Sequence, residues 1–222
     1  MKILVSGFEP YGEMSVNPTQ TLVREAREFD LEGIEIHSVV LPVNYDECVE
    51  KITEEINHVS PDVVVSCGIY PGRAAITPER VGLNVKDTMA EDLLADKRGK
   101  KPVDEPINAE GPDALFSGLP YRRINENLLA AGIPSYVSNT AGTYICNNTM
   151  YGILDHIRRN QLPTIAGFVH FPLSTEMAIE DPTQPSLPMG IMVEALQIIL
   201  RTVAEELEGK STEAAITRSS DN

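Results

Sequence analysis

The chain has 222 residues, 42% hydrophobic and 23% charged, an ordinary globular balance that excludes a disordered chain and suffices for one domain with a substantial core. A formal net charge of -15 argues against nucleic acid or an anionic membrane as a partner, because both would repel so acidic a surface. The three cysteines, Cys48, Cys67 and Cys146, are odd in number and lack metal-ligand spacing, so neither a disulfide framework nor a metal site is expected. No run approaches the roughly 18 apolar residues needed to span a bilayer, and the N-terminal apolar run is too short for a signal peptide. The expected compartment is cytoplasmic.

In chain order, residues 3–6 form a short apolar run ended by Gly7, the pattern of a buried strand. Asn17, Pro18 and Gln20 mark a helix start, with Leu22, Val23, Ala26 and Phe29 as its apolar face. Residues 34–41 are rich in β-branched side chains and predict a strand. Val49, Ile52, Ile56 and Val59 recur at helical spacing. Pro61-Asp62 opens a further buried strand over residues 63–68. Val81, Leu83 and Val85 alternate with Gly82, Asn84 and Lys86 as in a half-exposed strand.

Residues 88–120 are polar and carry proline and glycine, which predicts a long excursion without regular structure. A helix is expected over residues 122–131, a strand over 133–138, a helix over 147–159 and a strand over 164–169. The final helix starts at Pro188, buries a stripe from Met192 to Leu207 and is expected to stop at Gly209. This gives one α/β domain over residues 1–209 and a polar tail, residues 210–222, expected to be disordered. Strands alternating with helices predict an open twisted sheet covered by helices on both faces, an αβα sandwich. Ligands in such sheets bind beyond the carboxyl ends of the strands.

Cys146 stands where a strand-like segment and a small-residue turn, Asn139-Thr140-Ala141-Gly142-Thr143, run into a helical pattern. A helix N-terminus carries partial positive charge and unpaired N–H groups, which favour thiolate over thiol. That makes Cys146 a candidate nucleophile, against the simpler reading of a buried structural cysteine. Cys67 reads as structural. Cys48, beside Glu47 and Glu50, is a poor nucleophile because neighbouring carboxylates disfavour a thiolate. Among four histidines, His37, His58 and His156 read as structural or surface residues. His170 follows an apolar strand, which places it at a carboxyl end. Glu79, by its own surroundings, reads simply as surface charge. The post-strand glycines form no dinucleotide or phosphate-loop pattern, so a nucleotide cofactor is not expected.

Four stretches taken together resemble the pyroglutamyl-peptidase I (pyrrolidone-carboxylate peptidase) family of cysteine peptidases. They are Gly7-Phe8-Glu9-Pro10-Tyr11-Gly12 with Asn17-Pro18, and Gly68-Ile69-Tyr70-Pro71-Gly72-Arg73 with Ile76 to Asp87. The others are Ser138-Asn139-Thr140-Ala141-Gly142-Thr143-Tyr144-Ile145-Cys146-Asn147, and Gly167-Phe168-Val169-His170 followed by Pro172. The resemblance covers nearly the whole chain to about residue 207. It implies a triad of Cys146, His170 and Glu79, and a substrate pocket that includes Phe8, Tyr11 and Ile145. It also implies peptides with an N-terminal pyroglutamyl residue as substrates, no metal or cofactor, and a homotetramer.

Several positions depart from the family pattern. Tyr11 stands for phenylalanine, Glu13 for a common glycine and Asn148 for a frequent histidine, and Ile69 lies where glutamine or another residue can occur. Thr88-Met89 replaces a frequent Ala-Arg whose arginine is associated with the oxyanion site, and methionine cannot donate a hydrogen bond. Glu13 and Met89 motivate one alternative, a non-catalytic binder of pyroglutamyl ligands, and a second alternative is a thiol amidase for another small N-acyl group.

Overall fold

The computed structural model describes residues 1–12, 14–88, 95–179 and 181–220, with side chains through residue 209. From the N-terminus come β1 (Lys2–Phe8), α1 (Pro18–Ala26), β2 (Glu35–Leu41), α2 (Tyr45–Val59) and β3 (Val63–Ile69). Three short strands follow, β4 (Thr77–Pro78), β5 (Val81–Leu83) and β6 (Ala114–Phe116), then α3 (Tyr121–Ala130) and α4 (Ile145–Asn160). The chain ends in β7 (Ile165–Phe171), β8 (Leu173–Ser174), β9 (Ser186–Leu187) and α5 (Met189–Ser220).

The main sheet has the order β2-β1-β3-β7-β4. Its first four strands are parallel and β4 runs antiparallel to β7. Side chains along a strand alternate between faces, and the core divides accordingly. Ile3, Val5, Val63, Val65 and Val169 face α1, α3 and α5 through Leu22, Ile124, Leu128 and Leu196. Leu4, Val64 and Phe168 face α2 and α4 through Ile52, Ile56, Met150 and Ile153. Burying each such aliphatic side chain contributes about 1.5–3 kcal/mol. The expected two-faced α/β sheet is the architecture observed.

The starts of α1 and α2 are set by asparagine. Asn17 Oδ1 accepts from Thr19 N at 3.0 Å. Asn44 Oδ1 accepts from Asp46 N (3.0 Å) and Glu47 N (2.9 Å). Each cap is worth about 1 kcal/mol. Gly7 is required at the end of β1, because a Cβ there would stand 2.5 Å from the Thr19 carbonyl oxygen. That close approach lets Thr19 Oγ1 accept from Phe8 N at 2.9 Å, fixing Phe8 over the sheet end.

Four elements differ from the sequence expectation. Residues 133–138 make only isolated bridges, Ile76 with Ser135 and Glu79 with Ser138, instead of a regular strand. Pro134 has no N–H to give, and the partner β4 is two residues long and contains Pro78. β5 turns Gly82 inward in place of Val81 and Leu83, because the α4 backbone lies so close that a Cβ at Gly82 would be 3.2 Å from Tyr151 N. The excursion contains β6, paired antiparallel with β5, and is tied down earlier in the chain by Asp96, which accepts from the backbone N–H groups of Tyr45, Arg98 and Lys100. Finally, α5 runs past Gly209 to Ser220, where a stop and a disordered tail are expected. A glycine inside a helix costs about 1 kcal/mol relative to alanine but ends it only by turning left-handed, and Gly209 does not.

Candidate active site

β3 and β7 place Gly68 directly opposite His170. Paired residues on adjacent strands project to the same face, so the His170 imidazole and the absent side chain of Gly68 share the face covered by α4. A Cβ on Gly68 would stand 2.9 Å from Cys146 Sγ and 2.8 Å from Phe168 Cζ. Glycine is therefore what allows the thiol to rest against the end of the sheet. Cys146 and His170 line one cavity there, together with Tyr70, Ala141, Gly142 and Tyr144.

Cys146 is the second residue of α4, whose N-cap Tyr144 is extended and supplies no side-chain cap. The first-turn N–H groups of α4 thus have no capping oxygen from the N-cap side chain. Asn147 fastens this turn to β5. Its Oδ1 accepts from Leu83 N at 2.9 Å, and its Nδ2 donates to Leu83 O and Val85 O, each at 2.9 Å. Gly142 takes φ +78°, a left-handed turn that leads the preceding loop into the helix.

Glu79 is fully buried, not a surface charge. Its backbone N–H donates to Phe168 O at 2.9 Å, pinning it beside β7. His170 Nδ1 meets Glu79 Oε1 at 2.8 Å, and Arg73 Nη1 donates to the same oxygen at 2.6 Å. Burial alone would raise the Glu79 carboxyl. The hydrogen bond and charge of His170, with hydrogen bonds from Ser138 and Arg73, overcome it and hold the group below the ordinary carboxylate range. His170 is itself 1% exposed, and its ring lies against Phe168 (centroids 4.8 Å) and edge-on to Tyr70 (5.2 Å, 88°).

Phe8, Tyr11 and Ile145 come together around an apolar cavity of about 210 Å³ that Met14, Val43, Ile69, Pro71 and Tyr144 also line. Cys146 stands at its edge as well. The volume lies below the roughly 300–1,000 Å³ of drug-sized pockets and suits one small ring. The sulfur thus sits where the apolar cavity meets the cavity that holds His170.

The other cysteines are buried. Burial pushes the Cys67 thiol up to about 12 and the Cys48 thiol up to about 11. For Cys48 the expected reason needs correcting. Burial dominates, Thr149 and Asn148 hydrogen bonds oppose it, and the charge of Asp46 adds only a small upward push. Asn148 has a structural task, donating through Nδ2 to Tyr45 O at 2.7 Å. Thr88 is buried and its N and Oγ1 both donate to Pro102 O (3.0 and 3.1 Å). Glu13 and Met89 lie outside the described residues. Gly68, Tyr70, Arg73 and Asn147 stand within the quoted motifs, but only the folded geometry gives them roles.

Residues 1–206 match the family model described as pyroglutamyl peptidase. The chain belongs to the pyroglutamyl peptidase family. A relative named pyrrolidone-carboxylate peptidase 1, from Caldanaerobacter subterraneus subsp. tengcongensis, is 39% identical over 93% of this chain and 100% of its own. The crystal structure of pyroglutamyl peptidase I from Bacillus amyloliquefaciens aligns at TM-score 0.87 and 35% identity, covering 91% of this chain and 94% of that one. A mutant pyrrolidone carboxyl peptidase from P. furiosus aligns at TM-score 0.88 and 34% identity, over 93% and 100%. Family membership thus rests on near full-length agreement in both sequence and fold. No helix among the described residues is long and apolar enough to cross a membrane.

Proposed function

We propose that this chain is a cysteine-type omega peptidase, a pyroglutamyl-peptidase I, which hydrolyses the amide bond after an N-terminal pyroglutamyl residue. The observation that carries the reading is a thiol at the start of α4, placed where a small apolar cavity meets a buried His170–Glu79 pair. Membership of the family supports the same substrate class.

In this reading Phe8, Tyr11 and Ile145 wall the flat, uncharged lactam ring, which needs apolar contact and a few hydrogen bonds rather than a charge clamp. His170 Nδ1 is engaged by Glu79, so Nε2 serves the thiol. The imidazole takes the thiol proton, and the thiolate attacks the scissile carbonyl carbon. The C–O π pair moves to oxygen, where first-turn N–H groups of α4 stabilise the oxyanion. On collapse, the imidazolium gives its proton to the departing amine and the C–N bond breaks, leaving a thioester on Cys146. Water then adds with His170 as base, the C–S bond breaks, and free pyroglutamate leaves with the thiol restored. Glu79 orients the imidazole and stabilises its charged form. The steps balance with water as the sole co-reactant.

The reading extends to a cytoplasmic homotetramer. A catalytic thiol is favoured by a reducing compartment. Phe116 and Ile179, 70% and 74% exposed, are large apolar side chains suited to subunit contacts. The test is a panel of pyroglutamyl, prolyl and glutamyl chromogenic amides. Turnover of the pyroglutamyl amide alone is expected. Preference for another acyl group would transfer the reading to a thiol amidase, and binding of pyroglutamyl amide without turnover would transfer it to a binder.

A further inference from the structure

Arg73 touches three parts of the site at once. Its Nη1 donates to Glu79 Oε1 and to Thr77 Oγ1, both at 2.6 Å, and its Nη2 donates to Thr140 O at 3.2 Å. Its guanidinium carbon lies 3.7 Å from the centroid of the Tyr70 ring, and Tyr70 stands edge-on to His170. Thr77 belongs to β4 and pairs with His170, while Thr140 belongs to the turn that leads into Cys146. One side chain, 12% exposed, thereby joins the acid, the imidazole's aromatic neighbour and the nucleophile's turn.

We infer that Arg73 is a positioning residue for the triad, which fixes the Glu79 carboxylate toward His170 and sets the pH range over which the imidazolium persists. The inference rests on the peptidase reading for its kinetic part only. Arg73 shares a single carboxylate oxygen with His170, so its permanent charge competes with the imidazolium for Glu79 and also repels it directly. Removing that charge ends both the competition and the repulsion, while Glu79 keeps its hydrogen bonds with His170 and Ser138. The other ionisable groups among the described residues lining the His170 cavity are Cys146 from α4, Tyr70 after β3 and Tyr144 before α4, and none of these three is a permanent cation. A planar guanidinium can stack on Tyr70 while donating to Glu79, Thr77 and Thr140. A lysine ammonium supplies the charge but not that geometry.

Two variants separate the effects. Arg73→Gln removes the charge, and Arg73→Lys keeps it. Two readouts are taken across pH: kcat and KM on a pyroglutamyl amide, and the rate of Cys146 alkylation by iodoacetamide. Alkylation needs no substrate, so a wild-type protein that fails to turn over would overturn the peptidase reading while the alkylation profile still tests Arg73. In Arg73→Gln the alkaline step assigned to loss of the imidazolium proton is expected to move up by on the order of one pH unit. In Arg73→Lys it is expected to stay at the wild-type position. Both variants are expected to lose on the order of 10- to 100-fold in kcat with KM unchanged, because Arg73 does not line the apolar cavity. A merely structural role would lower thermal stability without moving the step. An unmoved step in Arg73→Gln overturns the inference. If that variant does not fold, wild-type kcat in Arg73→Lys overturns it instead.

Discussion

Gly68→Ala is the most local perturbation of the site, since it adds one methyl group. That methyl would lie 2.8 and 2.9 Å from two ring atoms of Phe168 and 2.9 Å from Cys146 Sγ, where ordinary contact begins at 3.4 Å. Each neighbour must therefore retreat by about half an ångström or more. Phe168, on β7, is fully buried in the core cluster shared with α2 and α4, so the ring has little space to retreat and the sulfur and first turn of α4 must give. Overpacking of this kind costs about 1–3 kcal/mol. For a chain of this length that is a fall in Tm of roughly 2–12 °C. In the proposed mechanism, displacing the Cys146 sulfur by up to about 1 Å costs on the order of 100-fold in kcat/KM. The assay pairs kcat/KM on a pyroglutamyl amide with thermal unfolding. Gly190→Ala is the control, because a Cβ there meets nothing within 4 Å. Wild-type kcat/KM at wild-type Tm in Gly68→Ala would refute the placement of the thiol against the sheet.

Two further outcomes follow from the same geometry. Asn147→Ala strips three hydrogen bonds between the start of α4 and the β5 segment. It is expected to cost about 2–4 kcal/mol in denaturant unfolding and to lower kcat more than it raises KM. The Glu79 carboxyl is held below its ordinary value of 4.5, so below that pH the unfolded chain takes up a proton that the folded chain refuses. Its contribution to stability is full above 4.5 and is lost as pH falls through the folded value. Tm is therefore expected to fall more steeply with acidification in the wild type than in Glu79→Gln, and equal slopes would contradict the assignment.

The strands and helices legible in the sequence are those whose own residues determine them. Residues 63–68 are apolar except for Ser66, and β3 is buried from Val63 to Gly68. Asn17-Pro18 gives both a side-chain cap and a fixed first turn, and α1 starts there. The segments misread are those decided by a neighbour. Residues 133–138 look like a strand until the brevity of β4 and the missing N–H of Pro134 limit their pairing. Val81 and Leu83 look inward-facing until α4 claims the space over Gly82. At the site, the helix-start position of Cys146 and the strand-end position of His170 could be read along the chain. The burial of Glu79 and the work of Gly68 and Arg73 could not, because they arise from contacts across β3, β4, β7 and the turn before α4.

The central claim is that Cys146 is the nucleophile, and the most direct test compares hydrolysis of a pyroglutamyl chromogenic amide by the wild type, Cys146→Ala and Cys146→Ser under reducing conditions. The account predicts turnover by the wild type and a loss to background in both variants, with thermal unfolding showing that they remain folded. A folded Cys146→Ala protein that keeps more than about a tenth of wild-type kcat would contradict it, since losing a nucleophile costs many orders of magnitude in rate.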